Sequence, residues 1–480
     1  MASHSPETDF ELHVDPALRV ALDASARWLD SLPSRPVRAD VDTVAVVDAL
    51  RAAGGADGGI PELGSPAADV VARLVDAVEP GLVATPGPRF YGWVIGGSLP
   101  SALAADWLTS AWDQNAGLVA SSPAAAATEH VAAQWLLDVL ALPRHATVGF
   151  VTGGNQANFS CLAAARHAVL RDHGWDVEAR GLQGAPTVHV VASVERHATV
   201  DVALRYLGLG TATVHPVETD EQSRMRPDDL ERVLAGLDGP IIVCSAAGNV
   251  NSGAFDDFAA VISIAHAKRA WVHVDGAFGL WAAASPHTRH LVDGVELADS
   301  WAADGHKTLN VPYDSGFAII TDPAAHTGAL AATASYLSAA ATAIRNPLDL
   351  VPEFSRRARG FATWAALAEL GREGLRSLVE QLCERALQFA DELAGIPGVE
   401  IENDVVFNQV MFRVDDDDER TRTVGEAVCA EGVAFMTPTT WKGRASMRVS
   451  VSNWSTSSVD VTASVDAVRR AVERVRVSSG

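Results

Sequence analysis

Cysteine is scarce in this sequence, with four in 480 residues, at positions 161, 244, 383 and 429. None forms a C-x-x-C pair, which excludes a zinc knuckle and a disulfide framework and fits a reducing compartment. Positive charge is also in deficit: 37 Lys and Arg stand against 60 Asp and Glu, a net charge of −23. Such a surface repels phosphate backbones, so nucleic acid is excluded as a partner, and anionic membrane surfaces are disfavoured for the same reason. Long apolar runs are absent. The one from Pro123 to Leu142 is interrupted by Glu129, His130, Gln134 and Asp138, so no membrane span is expected. The opening MASHSPETDFELH has no apolar h-region. No signal peptide is read there, and a cytoplasmic location is expected. Neither G-x-G-x-x-G nor a Walker A sequence occurs at the candidate phosphate loop, which argues against dinucleotides and nucleoside triphosphates.

What is present is a packed globular chain, 48% hydrophobic and 20% charged. Its length implies two or three domains. The 12 tryptophans are expected in cores or interfaces. Residues 1–95 read as an N-terminal helical arm, with helices over 16–32 and 66–79 separated by GGADGGIPELGSP. Over 96–355, short β-rich runs (147–151, 187–191, 241–245, 271–275, 316–320) alternate with helical stretches (155–173, 197–207, 227–237, 256–268). That alternation predicts a large α/β domain built on a mostly parallel sheet. Residues 356–480 read as a smaller α+β domain. It has two long helices within 361–395, strands near 398–413 and 446–452, and a last helix over 458–475. The acidic run Asp415–Asp418 reads as a solvated loop.

Ligands of such sheets bind beyond the C-terminal strand ends, and four features fall there. Thr152-Gly153-Gly154-Asn155-Gln156-Ala157-Asn158 follows a strand and opens a helix. Small residues and free N–H groups at a helix start suit a phosphate, although Gly-Gly before a helix is often plain turn chemistry. Asp275 closes the run WVHVD. It is either a cap or core hydrogen-bonding group, or the charge partner of a protonated ring nitrogen. Lys307, in Asp304-Gly305-His306-Lys307-Thr308, is either a surface-loop lysine or a buried amine, and burial favours a Schiff-base nucleophile. His197 is a helix-start histidine or an aromatic ring stacked on a flat cofactor. Together, a phosphate cup, a flat ring neighbour, an acid and a lysine answer the phosphate, pyridine ring and aldehyde of pyridoxal 5′-phosphate (PLP).

From about residue 85 onward the sequence resembles the group II PLP-dependent decarboxylases, which act on aromatic amino acids, histidine and glutamate. The resemblance is carried by PRFYGW (88–93), SSPAAAATE (121–129), GGNQAN (153–158), ERHATV (195–200) and GNVNSGAFDDF (248–258). It continues in HVDGAFG (273–279), ADSWAADGHKTLNVPYDSGF (298–317), SRRARGF (355–361) and MRVSVSNW (447–454). It implies PLP-dependent fold type I, the aspartate-aminotransferase-like architecture, and a homodimer with shared active sites. Lys307 is then the Schiff-base lysine, Asp275 the partner of the pyridine nitrogen, and His197 the stacking ring. Ala277 packs on the other face, and Gly154, Asn155 and His306 surround the phosphate. Tyr336 resembles the mobile-loop tyrosine that assists proton return to Cα. Relatives with phenylalanine there tend toward aldehyde formation.

The sequence departs from the animal aromatic decarboxylases at Ser245–Asn249, at Trp301 and Asp304, and in the Ala-rich stretch around Tyr336. The reading is therefore an L-amino-acid decarboxylase that releases CO₂ and an amine. An aromatic substrate is preferred because PRFYGW supplies Phe90, Tyr91 and Trp93, aromatics that would serve equally as dimer-interface packing. The alternatives are an aldehyde-forming decarboxylase–oxidase, a transaminase or a carbon–sulfur lyase on the same fold. Arg448 is left between a substrate-carboxylate contact and structural pairing.

Overall fold

The computed structural model describes residues 14–54, 59–332 and 344–478. It divides into two compact units, Met1–Gly87 and Pro88–Gly480. In the first, α1 (Pro16–Ser31), α2 (Thr43–Gly54) and α3 (Ala67–Val78) pack together. Asp15 caps α1, accepting the Ala17 N–H at 2.8 Å, and Pro16 takes the first helical position, where its missing N–H costs nothing. The sequence reading places no helix at α2. None of the α2 side chains is buried, so the core-facing periodicity that marks a helix is weak there.

In the second unit, α4 (Pro100–Trp112) and α5 (Pro123–Val139) precede an α/β run. Its order is β1 (Thr147–Val151), α6 (Gly154–Arg171), α7 (Val177–Arg180), β2 (His189–Ser193), α8 (Ala198–Tyr206), β3 (His215–Val217) and α9 (Pro227–Ala235). It continues through β4 (Ile241–Ala246), α10 (Phe258–Ala267), β5 (Trp271–Asp275), β6 (Ser300–Asp304), β7 (Gly316–Ile320) and α11 (Pro323–Leu330). These strands form one seven-stranded sheet, ordered β1-β7-β6-β5-β4-β2-β3. β3, β2, β4, β5 and β6 run parallel, and β7 is antiparallel to both β6 and β1. The mostly parallel sheet is thus observed. Strands β4 to β7 are buried almost throughout, as expected when helices cover both faces.

The chain then enters α12 (Gly360–Ala394), broken at Gly371, whose φ of 57° is open to glycine without strain. The two expected helices are the halves of this element. Strands β8 (Val399–Ile401) and β9 (Gln409–Val414), α13 (Asp418–Glu431), β10 (Thr437–Trp441), β11 (Arg444–Ser450) and α14 (Ser458–Ser478) complete it. The second sheet is ordered β10-β11-β9-β8. β3 and β10 were not expected as strands. Both are edges and both contain proline (Pro216, Pro438), which an edge tolerates and which hides a strand from pattern reading. β2 begins two residues later than expected, where its ladder with β4 starts at His189 and Ile241.

The acidic run is a solvated turn, with Asp416 and Asp417 exposed, and it is also tethered by ion pairs. Asp415 pairs with Arg420 and Arg476, Asp417 caps α13, and Asp418 pairs with Arg413. Three of the four carboxylates, Asp415, Asp416 and Asp418, pair with arginines from β9, α13, β11 and α14.

Candidate active site

A cavity of about 500 Å³ opens at the C-terminal edge of the parallel strands. The loops after β1, β2, β4, β5 and β6 line it, joined by residues 93–95 and Tyr313. Gly154, Asn155, His197, Asp275, Ala277, His306 and Lys307, all singled out from sequence, are among its walls. Tyr336 lies outside the described residues.

The phosphate candidate is the start of α6. Its cap, Gly153, offers no side-chain acceptor, so the first N–H groups remain open to an anion. A Cβ on Gly153 would lie 2.7 Å from the His306 ring, and one on Gly154 would lie 2.9 Å from Asp304 Oδ2. Close packing therefore requires the glycine pair. His306 Nδ1 accepts the Ser315 N–H at 3.2 Å, and the Tyr313 ring stacks on His306 at 4.3 Å. Burial lowers the His306 pKa, which keeps its ring neutral.

Lys307 is held where β6 ends. Its Nζ lies 3.0 Å from Asp304 Oδ2. Asp304 is almost fully buried, and its Oδ1 has no hydrogen-bond partner, with the nearest imidazole nitrogen of His306 at 3.6 Å. Asp304, a departure from the animal pattern, is thus the lysine's ion-pair partner. Asn310 organises the following turn. It accepts the N–H groups of Gly97 (2.6 Å) and Trp454 (3.0 Å), and donates to the carbonyls of Thr308 (2.8 Å) and Ser452 (3.0 Å). Gly96 passes so close that a Cβ there would sit 2.2 Å from the Lys307 carbonyl.

Asp275 accepts the Asn158 amide through Oδ2 at 3.0 Å and the Ala277 N–H through Oδ1 at 3.3 Å. The core-bonding and ligand-facing readings therefore hold together, because the same carboxylate is fixed from behind and lines the cavity. His197 likewise combines both readings. It caps α8 by accepting the Thr199 N–H, and it lines the cavity. Burial is the largest influence on it and lowers its pKa, with Lys307 and Arg448 acting in the same direction.

Arg448 is buried on β11. Its Nη1 donates to the Val250 carbonyl at 2.9 Å, its Nε has no partner, and no carboxylate lies within ion-pair distance among the described residues. Desolvation brings its pKa down to about 10. Arg448 is not among the cavity's walls, but a buried cation without a counter-ion suits an anionic guest.

Sequence reasoning missed Asn158, Thr199, His273 and Asn310 as site-building residues. The signals were present, since Asn158 closes GGNQAN and His273 opens HVDGAFG, but their partners are far away in sequence. Glu129 and Arg356, in two of the resemblance segments, form a buried pair at 2.7 Å away from the cavity, so those segments carry structure. Among the described residues no group of three or more His, Cys, Asp or Glu could hold a metal ion, and no helix is long and apolar enough to cross a membrane.

The donor set fits PLP, with an open helix start for the phosphate, a fixed carboxylate for the ring nitrogen and a lysine for the aldehyde. Known proteins agree. The chain is 29% identical over 465 residues to tryptophan decarboxylase 1 of Oryza sativa subsp. japonica, covering 90% of this chain and 88% of that one. It is 26% identical to phenylacetaldehyde synthase of Arabidopsis thaliana, covering 80% of each. The crystal structure of Oryza sativa TDC with PLP and tryptamine superposes with a TM-score of 0.88 at 26% identity, over 98% of this chain and 99% of that one. The sequence model of the pyridoxal-dependent decarboxylase conserved domain matches residues 55–415, three quarters of the length. The chain therefore belongs to the pyridoxal-dependent decarboxylases, PLP-dependent carboxy-lyases of fold type I that act on amino acids.

Proposed function

We propose that this protein decarboxylates an aromatic L-amino acid to its amine, with Lys307 as the residue that binds PLP covalently. The observation that carries the reading is the convergence of Lys307, Asp275 and His197 on one cavity with a phosphate-suited helix start. Bound PLP would supply the electron-withdrawing ring that accepts the electron pair released as the Cα–carboxylate bond breaks. Asp275, fixed by Asn158 and the Ala277 N–H, holds the proton on the pyridine nitrogen. His197 covers one face of the ring and Ala277 the other, while Gly154, Asn155 and His306 surround the phosphate. Arg448 holds the substrate carboxylate, satisfying its own missing counter-charge. Tyr336 assists the return of a proton to Cα. A tyrosine rather than a phenylalanine at 336 favours plain decarboxylation over aldehyde formation.

The aromatic preference rests on the cavity mouth. Trp93 lines it and packs on Phe435 (5.0 Å) and Phe90 (5.9 Å), with Phe90 and Phe435 themselves stacked at 4.8 Å. Trp93 and Val94 both adopt positive φ, 50° and 58°, a costly conformation that clusters at ligand sites. We also propose a homodimer, because Trp107, Leu108, Trp112, Trp135 and Trp364 are exposed together on α4, α5 and α12. A cytoplasmic location fits the four unpaired cysteines. The second reading, aldehyde formation, is favoured by the similarity to phenylacetaldehyde synthase.

The test is to incubate PLP-loaded protein with each common L-amino acid, following CO₂ and identifying the product by mass spectrometry. An amine from an aromatic amino acid supports the proposal. Aldehyde with peroxide selects the second reading, and a keto acid overturns both. Lys307→Ala should abolish the visible absorbance of covalently bound cofactor and CO₂ release together. Retention of either removes Lys307 from its role.

A further inference from the structure

Asn158 is not itself a cavity wall, yet it is fully buried and makes three hydrogen bonds, to Asp275 and Thr199 through its nitrogen and to His273 through its oxygen. It sits in the middle of a chain of polar groups whose direction is set by its two ends. At one end, the Trp271 indole N–H can only donate, and it points at Ser300 Oγ, 2.9 Å away. At the other, the Asp275 carboxylate accepts from Asn158 Nδ2 at 3.0 Å. The Asn158 amide is therefore oriented with its nitrogen toward Asp275 and its oxygen toward His273 Nε2, at 2.9 Å. His273 carries its proton on that Nε2, and its Nδ1 accepts the Ser300 hydroxyl at 3.0 Å. Burial pushes His273 down to about 4, so the ring is neutral and one donor–one acceptor bonding is all it needs.

The second Asn158 N–H continues the chain. It reaches Thr199 Oγ1 at 3.0 Å, and the Thr199 hydroxyl lies 2.8 Å from His197 Nδ1. The Thr199 backbone N–H, which can only donate, points at the same Nδ1 from 3.3 Å. A ring nitrogen that faces two donors is a lone pair. His197 then bears its proton on Nε2, which no described residue engages. Around His197 stand Asp275 from β5, Asp304 and Lys307 from the end of β6, and Arg448 from β11. The two acids and two cations oppose one another, which leaves the Thr199 contacts to choose the tautomer.

We propose that Asn158 is a positioning residue that couples the two cofactor-facing groups. One amide hydrogen fixes the Asp275 carboxylate, and the other, through Thr199, holds His197 as the Nε2–H tautomer, a hydrogen-bond donor toward the cavity. The inference rests on the PLP site proposed above and adds the device that sets the protonation of its stacking histidine.

The experiment is solid-state nitrogen NMR of PLP-loaded protein carrying isotope-labelled histidine, with His197 assigned by the signal lost in His197→Gln. The wild-type holoenzyme should show the His197 proton on Nε2. Thr199→Val loses the 2.8 Å hydroxyl contact and keeps only the 3.3 Å backbone one, so it should raise the share of the Nδ1–H tautomer, and Thr199→Ser should restore the wild-type ratio. Asn158→Ala should mix the tautomers and also weaken PLP binding about ten-fold, because Asp275 loses a charge-assisted bond. A wild-type proton on Nδ1, a tautomer ratio unchanged in Thr199→Val, or unchanged PLP affinity in Asn158→Ala would each overturn the proposal. None of these readouts needs turnover. An amino-acid panel without CO₂ release would count against the decarboxylase reading and leave this inference standing.

Discussion

Arg448 is a side chain that is costly to the fold and that the proposed function puts to use. A guanidinium buried without a carboxylate loses hydration that a single carbonyl bond does not return. In the proposed function the substrate carboxylate supplies the missing charge. Arg448→Lys loses the planar fork, and Arg448→Met loses the charge as well. The methionine variant is expected to raise KM about 10- to 100-fold, the equivalent of one charge-assisted hydrogen bond, with a smaller change in kcat. Steady-state kinetics on the amino acid found by the panel checks this, and an unchanged KM would assign Arg448 to structure. Two other buried residues set the response to acid. Burial holds His273 and His326 at about 4, below the ordinary value of 6.5. Between those values the unfolded chain binds protons that the folded chain refuses. Stability is therefore intact above pH 6.5 and falls as the pH drops toward 4, by roughly 1.4 kcal/mol per pH unit for each histidine. Denaturant titrations across that window should show the slope, and His326→Gln should reduce it.

At the scale of elements, the Glu129–Arg356 pair ties α5 to the segment entering α12. Arg356 also donates to the carbonyls of Ala116 (2.9 Å) and Phe150 (2.6 Å), the latter on β1. Desolvation raises the Glu129 pKa even with the arginine beside it. Removing the partner leaves an uncompensated buried carboxylate, so Arg356→Met should cost about 3–5 kcal/mol, measured by urea unfolding. The double variant with Glu129→Gln should recover part of that loss. These two residues also show what the sequence makes legible. β1, β5 and β7 coincide to the residue with TVGFV, WVHVD and GFAII, because a strand covered on both faces is a short continuous apolar run. The edges β3 and β10 were hidden by their prolines. Lys307, Asp275 and His197 could be singled out because each lies at or just beyond a strand end, and the structure places all three on one cavity. Asn158 and His273 were not. They bond to one another across more than a hundred residues of sequence, and a polar residue inside a helix or strand gives no local sign of such a partner.

For the whole molecule, exposed tryptophans stand on α4 and α5, both packed against α12, and on α12 itself. Trp135 stacks on Trp364 at 5.7 Å, and Trp112 meets Phe361 edge-on at 5.1 Å. Contiguous apolar patches of this kind are rare on monomers. Sedimentation should therefore give twice the chain mass. Leu108→Glu, which places a charge on the patch beside Trp107, should dissociate the pair and lower activity with it. A stable dimer in that variant would move the interface elsewhere. The composition of the cavity has a consequence for how the protein is made. Its walls come from residue 93, the loop after residue 151, the turns near 197 and 275, the lysine at 307 and the aromatic ring of Tyr313. These walls span residues 93–313, so a nascent chain shorter than that lacks part of the site. Cofactor capture then waits until the chain has been made through Tyr313, and bound PLP stabilises the folded form by mass action. Withholding vitamin B6 during expression should leave a pool that proteases degrade faster, with half-life recovering as cofactor is restored.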